Sequence, residues 1–183
     1  EKHFLRYNFA SFFSKKNFNV LDAACGTGYG SYILSKNSKK VISIDKSSSA
    51  IDYAKINFNR KNIFFAKNDI NKLKYKNKFD LIVSIETLEH LDKKNAILWL
   101  KNCKKMLKKN GIFICSSPLL RIKNNKPIIT NPHHLHEMKK SEFIQNLKKI
   151  FRPKIFISYI QDGYSIKPLT NEKNGLCFTY IKT

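Results

Sequence analysis

Three stretches of the chain carry side chains whose types and spacing can do chemistry. Glu86-x-x-Glu89-His90 follows the apolar run FDLIVSI, and NPHHLHEM, Asn131 to Met138, stands in a polar stretch further on. Histidine changes charge near neutral pH, so an imidazole set against a hydroxyl can take its proton. His90 or His134 is therefore expected as general base, with Glu86 beside it, while at least one of His133, His134 and His136 is expected to be plain loop surface. Glu86, Glu89, His90 and His134 are also the donor types of a small divalent-metal site, the alternative use of the cluster. The favoured reading has no metal.

The third stretch is NVLDAACGTGYGSYIL, Asn19 to Leu34, with Gly26, Gly28 and Gly30 at alternate positions after an apolar run. Glycine lets a backbone turn sharply and approach a ligand closely. A phosphate-cradling P-loop would need Gly-Lys-Ser/Thr, which is absent. A dinucleotide loop, GxGxxG, would need glycine where Ser31 stands. Asp22, ending the apolar run, would repel a pyrophosphate but suits a cation. Asp45, ending VISID, is placed to accept hydrogen bonds from both hydroxyls of a ribose, and Asp69 in AKND to meet an adenine amino group or simply to cap a helix. A sulfonium, an amino-acid head, a ribose and an adenine without phosphate make S-adenosylmethionine (SAM).

Elements that would hold these residues alternate along the chain. FNVLDAA, KKVISID, NIFFAKND, FDLIVSIE and IFICSSP read as strands, and TGYGSYILSKNS, SSSAIDYAKINFNR and SEFIQNLKKIF as helices. The second helix would be capped by Ser47 or Ser48 and would bury Ile51, Ala54 and Phe58. DKKNAILWLKNCKKMLKKNG is expected as one helix, capped by Asp92, ended by Asn110 or Gly111, with Ala96, Trp99, Leu100, Cys103 and Leu107 inward and its lysines outward. KIFISYIQD and GLCFTYIKT follow each other without a helix, so they are expected to form an antiparallel hairpin at one edge. The fold class is α/β: a Rossmann-like, mostly parallel sheet of about seven strands with helices on both faces. In such sheets ligands bind beyond the carboxyl ends of the strands.

VLDAACGTGYGSYILS, VISIDKSSSAIDYA, NDI, FDLIVSIETLEHL and LKKNGIFICSSP, in that order, resemble the class I SAM-dependent methyltransferases over nearly the whole chain. The resemblance implies that Asp22, Ala23, Gly26 and Gly28 border the methionine part of SAM, Asp45 and Lys46 the ribose, and Asp69 and Ile70 the adenine. It places Ser84 and Glu86 beside the methyl group. LRYNFA looks like the N-terminal segment of relatives near bacterial polysaccharide genes, which implies a cofactor lid in residues 1–15, with Arg6 pairing with the cofactor carboxylate and Tyr7 stacking or hydrogen-bonding. The alternative is a surface helix. NPHHLHEMKKSEFIQNLKKIF followed by YIQDG is similar to methyltransferases of surface-sugar gene clusters, through Asn131, Pro132, His134, Glu137, Glu142, Phe143 and Gln161. Glu-x-x-Glu-His also resembles the metal-binding segment of small-RNA 2′-O-methyltransferases and of some quinone O-methyltransferases. The expected activity is methyl transfer from SAM, leaving S-adenosylhomocysteine, to a hydroxyl of a sugar or surface-glycan precursor. The alternatives are a metal-assisted RNA 2′-O-methyltransferase and a SAM-binding module without catalysis.

The 183 residues suit one domain spanning 1–183, and 42% hydrophobic content allows a real core. No apolar run is long enough for a membrane span, and the first residues do not read as a signal peptide. Cys25, Cys103, Cys115 and Cys177 form no CxxC pair and lie in or beside apolar segments, as reduced thiols of a cytoplasmic protein do. The net charge of +22 invites a nucleic-acid partner, but lysine supplies nearly all of it, without the arginine forks typical of phosphate readers. Compositional drift is the favoured source of the charge, a small molecule the favoured acceptor, and a homodimer a further expectation.

Overall fold

The computed structural model describes residues 2–124, 126–129, 131–162, 165–168 and 176–183. Helix α1 (Lys2–Phe12) leads into β1 (Asn19–Ala23), α2 (Tyr29–Ser35), β2 (Lys40–Asp45), α3 (Ser48–Asn57), β3 (Ile63–Lys67) and β4 (Phe79–Ile85). Then come α4 (Lys93–Met106), β5 (Leu107–Pro118), the short pair β6 (Arg121–Lys123) and β7 (Lys126–Ile128), α5 (Lys140–Phe151), β8 (Ile155–Asp162), β9 (Ser165–Pro168) and β10 (Leu176–Lys182). The main sheet runs β3-β2-β1-β4-β5-β10-β8-β9, parallel from β3 to β5 and antiparallel beyond.

Successive residues of the central strands alternate between two apolar layers. Leu21, Ile82 and Phe113 pack under Trp99, Leu100, Cys103, Phe143 and Phe151 of α4 and α5. Val20, Leu81, Val83 and Ile114 pack under Tyr7, Ala10, Ile33 and Leu34 of α1 and α2. This two-sided burial explains why the strands read as unbroken apolar runs rather than as alternating ones. Asp92 and Ser47 cap α4 and α3 as expected, accepting from the amides of Asn95 and Ala50.

Several expectations need correction. The main sheet has eight strands rather than seven. The two C-terminal strands do pair antiparallel, but β10 inserts between β5 and β8, and β9 forms the edge. Helix α4 ends at Met106, not at Asn110 or Gly111. Leu107 pairs with Phe79, and Lys108 reaches back to Asp80 at 2.8 Å, so this lysine-rich stretch extends as strand. Leu107 is buried as expected, from a strand instead of a helix. Cys25, Cys103 and Cys115 are buried free thiols, while the Cys177 side chain lies outside the described residues. Among the described residues no helix is long and apolar enough to cross a membrane.

Candidate functional site

Strand order reverses between β1 and β4, and the carboxyl ends of β1, β2 and β4 open into a cavity of about 330 Å³, within the usual range of small-molecule sites. Asp45, Lys46, Asp69, Ile70, Glu86 and His90 line it, all named from the sequence. Ala24, Asn68, Thr87 and Leu91 line it too and were not. Their only sequence signal is position, since each directly neighbours a residue that was named.

The loop between β1 and α2 is wound by three left-handed residues, Ala24 (φ 57°), Gly26 (φ 53°) and Gly28 (φ 89°). Asp45 clamps it: one carboxylate oxygen accepts from the Gly26 amide at 2.8 Å, the other from the Ser47 amide at 2.9 Å. A side chain at Gly26 would meet open space, so this glycine keeps a free approach to its backbone. At the other two a side chain has no room, for reasons of packing. A Cβ at Gly28 would lie 2.6 Å from Ala54 and 2.9 Å from the Phe65 ring, and one at Gly30 would lie 2.2 Å from the Tyr7 ring.

Asp22 is fully buried, and both its oxygens are engaged, by Tyr7 Oη at 3.0 Å and Ser31 Oγ at 2.6 Å. Burial pushes its pKa up to about 6, against the two hydroxyl donors that lower it. Ala23 is also buried in the core, and neither residue lines the cavity. Ser84 is turned away as well, because the buried Trp99 indole N–H needs an acceptor and finds Ser84 Oγ at 3.1 Å. Asp69 accepts from the Asn71 amide at 2.9 Å to cap a short turn, as expected of a cap, and also lines the cavity.

Helix α1 packs one face on the sheet, where Arg6 and Tyr7 are buried and Ala10 is in the core, and leaves Phe4 and Phe12 exposed on the other. Arg6 Nε donates to Gln161 Oε1 at 2.6 Å, and its Nη1 lies 3.4 Å from Glu86 Oε2 without a hydrogen bond of its own. The segment thereby ties β8 to the end of β4. Glu86 has φ 49° and takes a hydrogen bond from Ser116 Oγ at 3.0 Å. Burial raises its pKa, opposed chiefly by Arg6.

The two histidine-bearing stretches, 43 positions apart at their nearest bond, do meet. The His90 and His134 rings stand edge to face with centroids 5.1 Å apart. His90 Nδ1 lies 3.0 Å from the His133 carbonyl, which only accepts, so the proton sits on Nδ1 and Nε2 keeps its lone pair. Burial holds the His90 pKa below its ordinary value. His134 is committed at both nitrogens, Nδ1 to the buried Glu137 at 2.7 Å and Nε2 to the Asn131 amide at 3.0 Å. His133 is exposed, as expected of loop surface.

Glu89 is fully buried, takes a hydrogen bond from Ser117 Oγ at 3.2 Å, and leaves its Oε1 without a partner. Burial, then the nearby Glu86 charge, raises its pKa to about 8. Glu89, His90 and His134 bring one donor atom each within 4.8 Å of one another, a set that could hold a divalent ion. Glu86 does not join them, which corrects the four-residue metal site, because it faces Arg6 and Ser116 instead.

A family model described as a methyltransferase domain matches residues 14–168. The ubiquinone biosynthesis O-methyltransferase of Pelagibacter ubique is 34% identical over 104 residues, 56% of this chain and 42% of that protein. The malonyl-[acyl-carrier protein] O-methyltransferase of Acetivibrio thermocellus is 35% identical over 78 residues, 42% of this chain and 28% of that protein. The chain thus matches less than half the length of either curated relative. Among solved structures, phosphoethanolamine N-methyltransferase 1 of Haemonchus contortus, in complex with phosphoethanolamine and S-adenosylhomocysteine, superposes with a TM-score of 0.73 at 18% identity, covering 98% of this chain and 42% of that one.

Proposed function

We propose that this chain, which belongs to the methyltransferase-domain family, moves a methyl group from SAM to an oxygen of a small-molecule acceptor. The observation that carries this is the cavity itself, with Asp45 on one wall and His90, its Nε2 unprotonated, on another.

The donor set fits SAM. Asp45 at the end of β2 suits the ribose hydroxyls, Asp69 and Ile70 the adenine, and the open backbone at Gly26 the amino-acid head. Arg6, whose buried Nη1 is ion-paired with Glu86 but makes no hydrogen bond, has a donor left for a ligand carboxylate. SAM supplies a methyl group on a sulfonium, whose sulfur departs neutral and needs no acid. What remains for the protein is to hold the acceptor in line and take its proton. His90 does the second, since its lone pair is free while that of His134 is bound by Asn131. Glu86 stands beside it at the cavity wall, ion-paired with Arg6.

The two curated relatives described above are by name O-methyltransferases, which favours oxygen over nitrogen as acceptor. A sugar hydroxyl of a surface-glycan precursor is the narrower proposal. Incubation with methyl-labelled SAM and panels of nucleotide sugars, phenols and carboxylic acids tests both levels. Label in a sugar supports the narrow version, and label in a phenol or acid keeps only the broad one. No label in any oxygen acceptor, despite SAM binding, favours the binding module without catalysis.

A metal-assisted variant rests on the convergence of Glu89, His90 and His134 and the orphan oxygen of Glu89. Calorimetric titration with Mg²⁺ or Mn²⁺ tests it. Binding lost in Glu89→Gln supports it, and no heat at millimolar ion removes it.

A further inference from the structure

Helix α4 begins beside the cavity and ends about 20 Å away, where β5 starts. At that far end a groove of about 510 Å³ runs between α4 and α5. Lys101, Lys104 and Lys105 line one side, Lys149 and Arg152 the other, with Ile97 and Ile150 between, and no carboxylate is among the lining residues. Lys104 is occupied, donating to the Phe151 carbonyl at 2.9 Å. Lys101, Lys105, Lys149 and Arg152 are exposed and have no ion-pair partner among the described residues. The near end of the same helix pair is different: there Lys93 and Glu142 close an ion pair at 2.7 Å.

The far end gathers like charge: Lys101 and Lys105, four apart, repel along α4, as do Lys149 and the C-cap Arg152 at the end of α5, although the helix C-termini favour nearby cations. Arg152 also sits in the left-handed region (φ 46°, ψ 59°) at the helix end, where glycine is the usual residue. An anion in the groove would relieve the repulsion. The basic surface also continues. Lys154 Nζ bonds Asn110 at 2.7 Å and its amide bonds the Lys182 carbonyl at 2.9 Å. That joins Arg152 to a second concavity lined by Lys15, Lys109 and Lys182, whose single acid, Asp80, is neutralised by Lys108.

We propose that this track binds the phosphate backbone of a single-stranded nucleic acid without regard to sequence. An extended polyanion reaches both concavities, whereas a compact anion fills one. No aromatic ring lines the groove between α4 and α5, so contact there is with the phosphates alone, and Phe18 in the second concavity is the one ring of the track on which a base can stack, whatever its identity. The track lies away from the cavity, and its binding does not depend on methyl transfer.

Fluorescence anisotropy of a labelled oligouridylate across a salt series tests this. With about four phosphates contacted, the log–log salt slope is about −3, and affinity falls roughly fifty-fold between 50 and 200 mM salt. Replacing Lys101→Gln together with Lys149→Gln lowers that loss to about sevenfold. Replacing Lys55→Gln with Lys61→Gln, exposed lysines outside the track, leaves it unchanged, with circular dichroism confirming that both variants fold. Equal effects of the two pairs would show diffuse charge and overturn the proposal. So would competition by polyglutamate as strong as that by unlabelled oligouridylate, which would point to an acidic protein instead.

Discussion

His90 and His134 face each other, yet their hydrogen bonds divide the work between them. The His133 carbonyl fixes the His90 proton on Nδ1 and leaves Nε2 free, while Asn131 occupies the corresponding nitrogen of His134. His90→Gln is therefore expected to lower methyl transfer by about 10² or more, with S-adenosylhomocysteine affinity unchanged by calorimetry. Ser84 makes the opposite point. It is named from the sequence as a neighbour of the methyl group, but its hydroxyl satisfies Trp99 in the core. Ser84→Ala should cost about 1–3 kcal/mol in urea unfolding, because it strands a buried N–H, and should leave ligand affinity alone. Asp45 and His90 were legible because Asp45 ends β2 and His90 lies in the short turn after β4, so local pattern alone puts both at strand carboxyl ends. The hydrogen bond of Ser84 and the packing that requires glycine at positions 28 and 30 were not legible, because Trp99, Phe65 and the Tyr7 ring come from elements elsewhere in the chain.

At the scale of elements, α1 and α2 meet through the glycine at position 30. The Tyr7 ring fills the space where a Cβ would stand, and its hydroxyl reaches Asp22 beneath. Gly30→Ala should push α1 off the sheet at a cost of about 1–3 kcal/mol, read as a lowered melting temperature. Because α1 also carries Arg6 toward Glu86, the same variant should weaken S-adenosylhomocysteine binding, whereas a comparably destabilising core change far from α1 should not. The elements with continuous apolar runs and clear caps were legible from sequence. The end of α4 was not, since Leu107 continues the helical spacing by coincidence while its backbone joins the strand. The placement of β10 was not either. Which strand it inserts beside is a matter of pairing across the sheet, and no local pattern carries that information.

At the scale of the whole molecule, stability depends on pH through the acid under α1. The Asp22 pKa is raised to about 6 in the folded chain, so the native state holds a proton that the unfolded state releases earlier. Its contribution to stability is complete below pH ~4 and is lost as pH rises through about 6, by at most about 3 kcal/mol. Unfolding free energies should fall over that interval, and Asp22→Asn should flatten the fall. A fall equally steep in the variant would assign it to other groups. The sheet, its two apolar layers and the cavity at the strand ends all converge on one ligand. Calorimetric titration with S-adenosylhomocysteine tests that directly: the expected result is one site per chain, abolished or strongly weakened in Asp45→Ala, with no heat from NAD. Tight NAD binding without S-adenosylhomocysteine binding, or undiminished affinity in a folded Asp45→Ala, would contradict it.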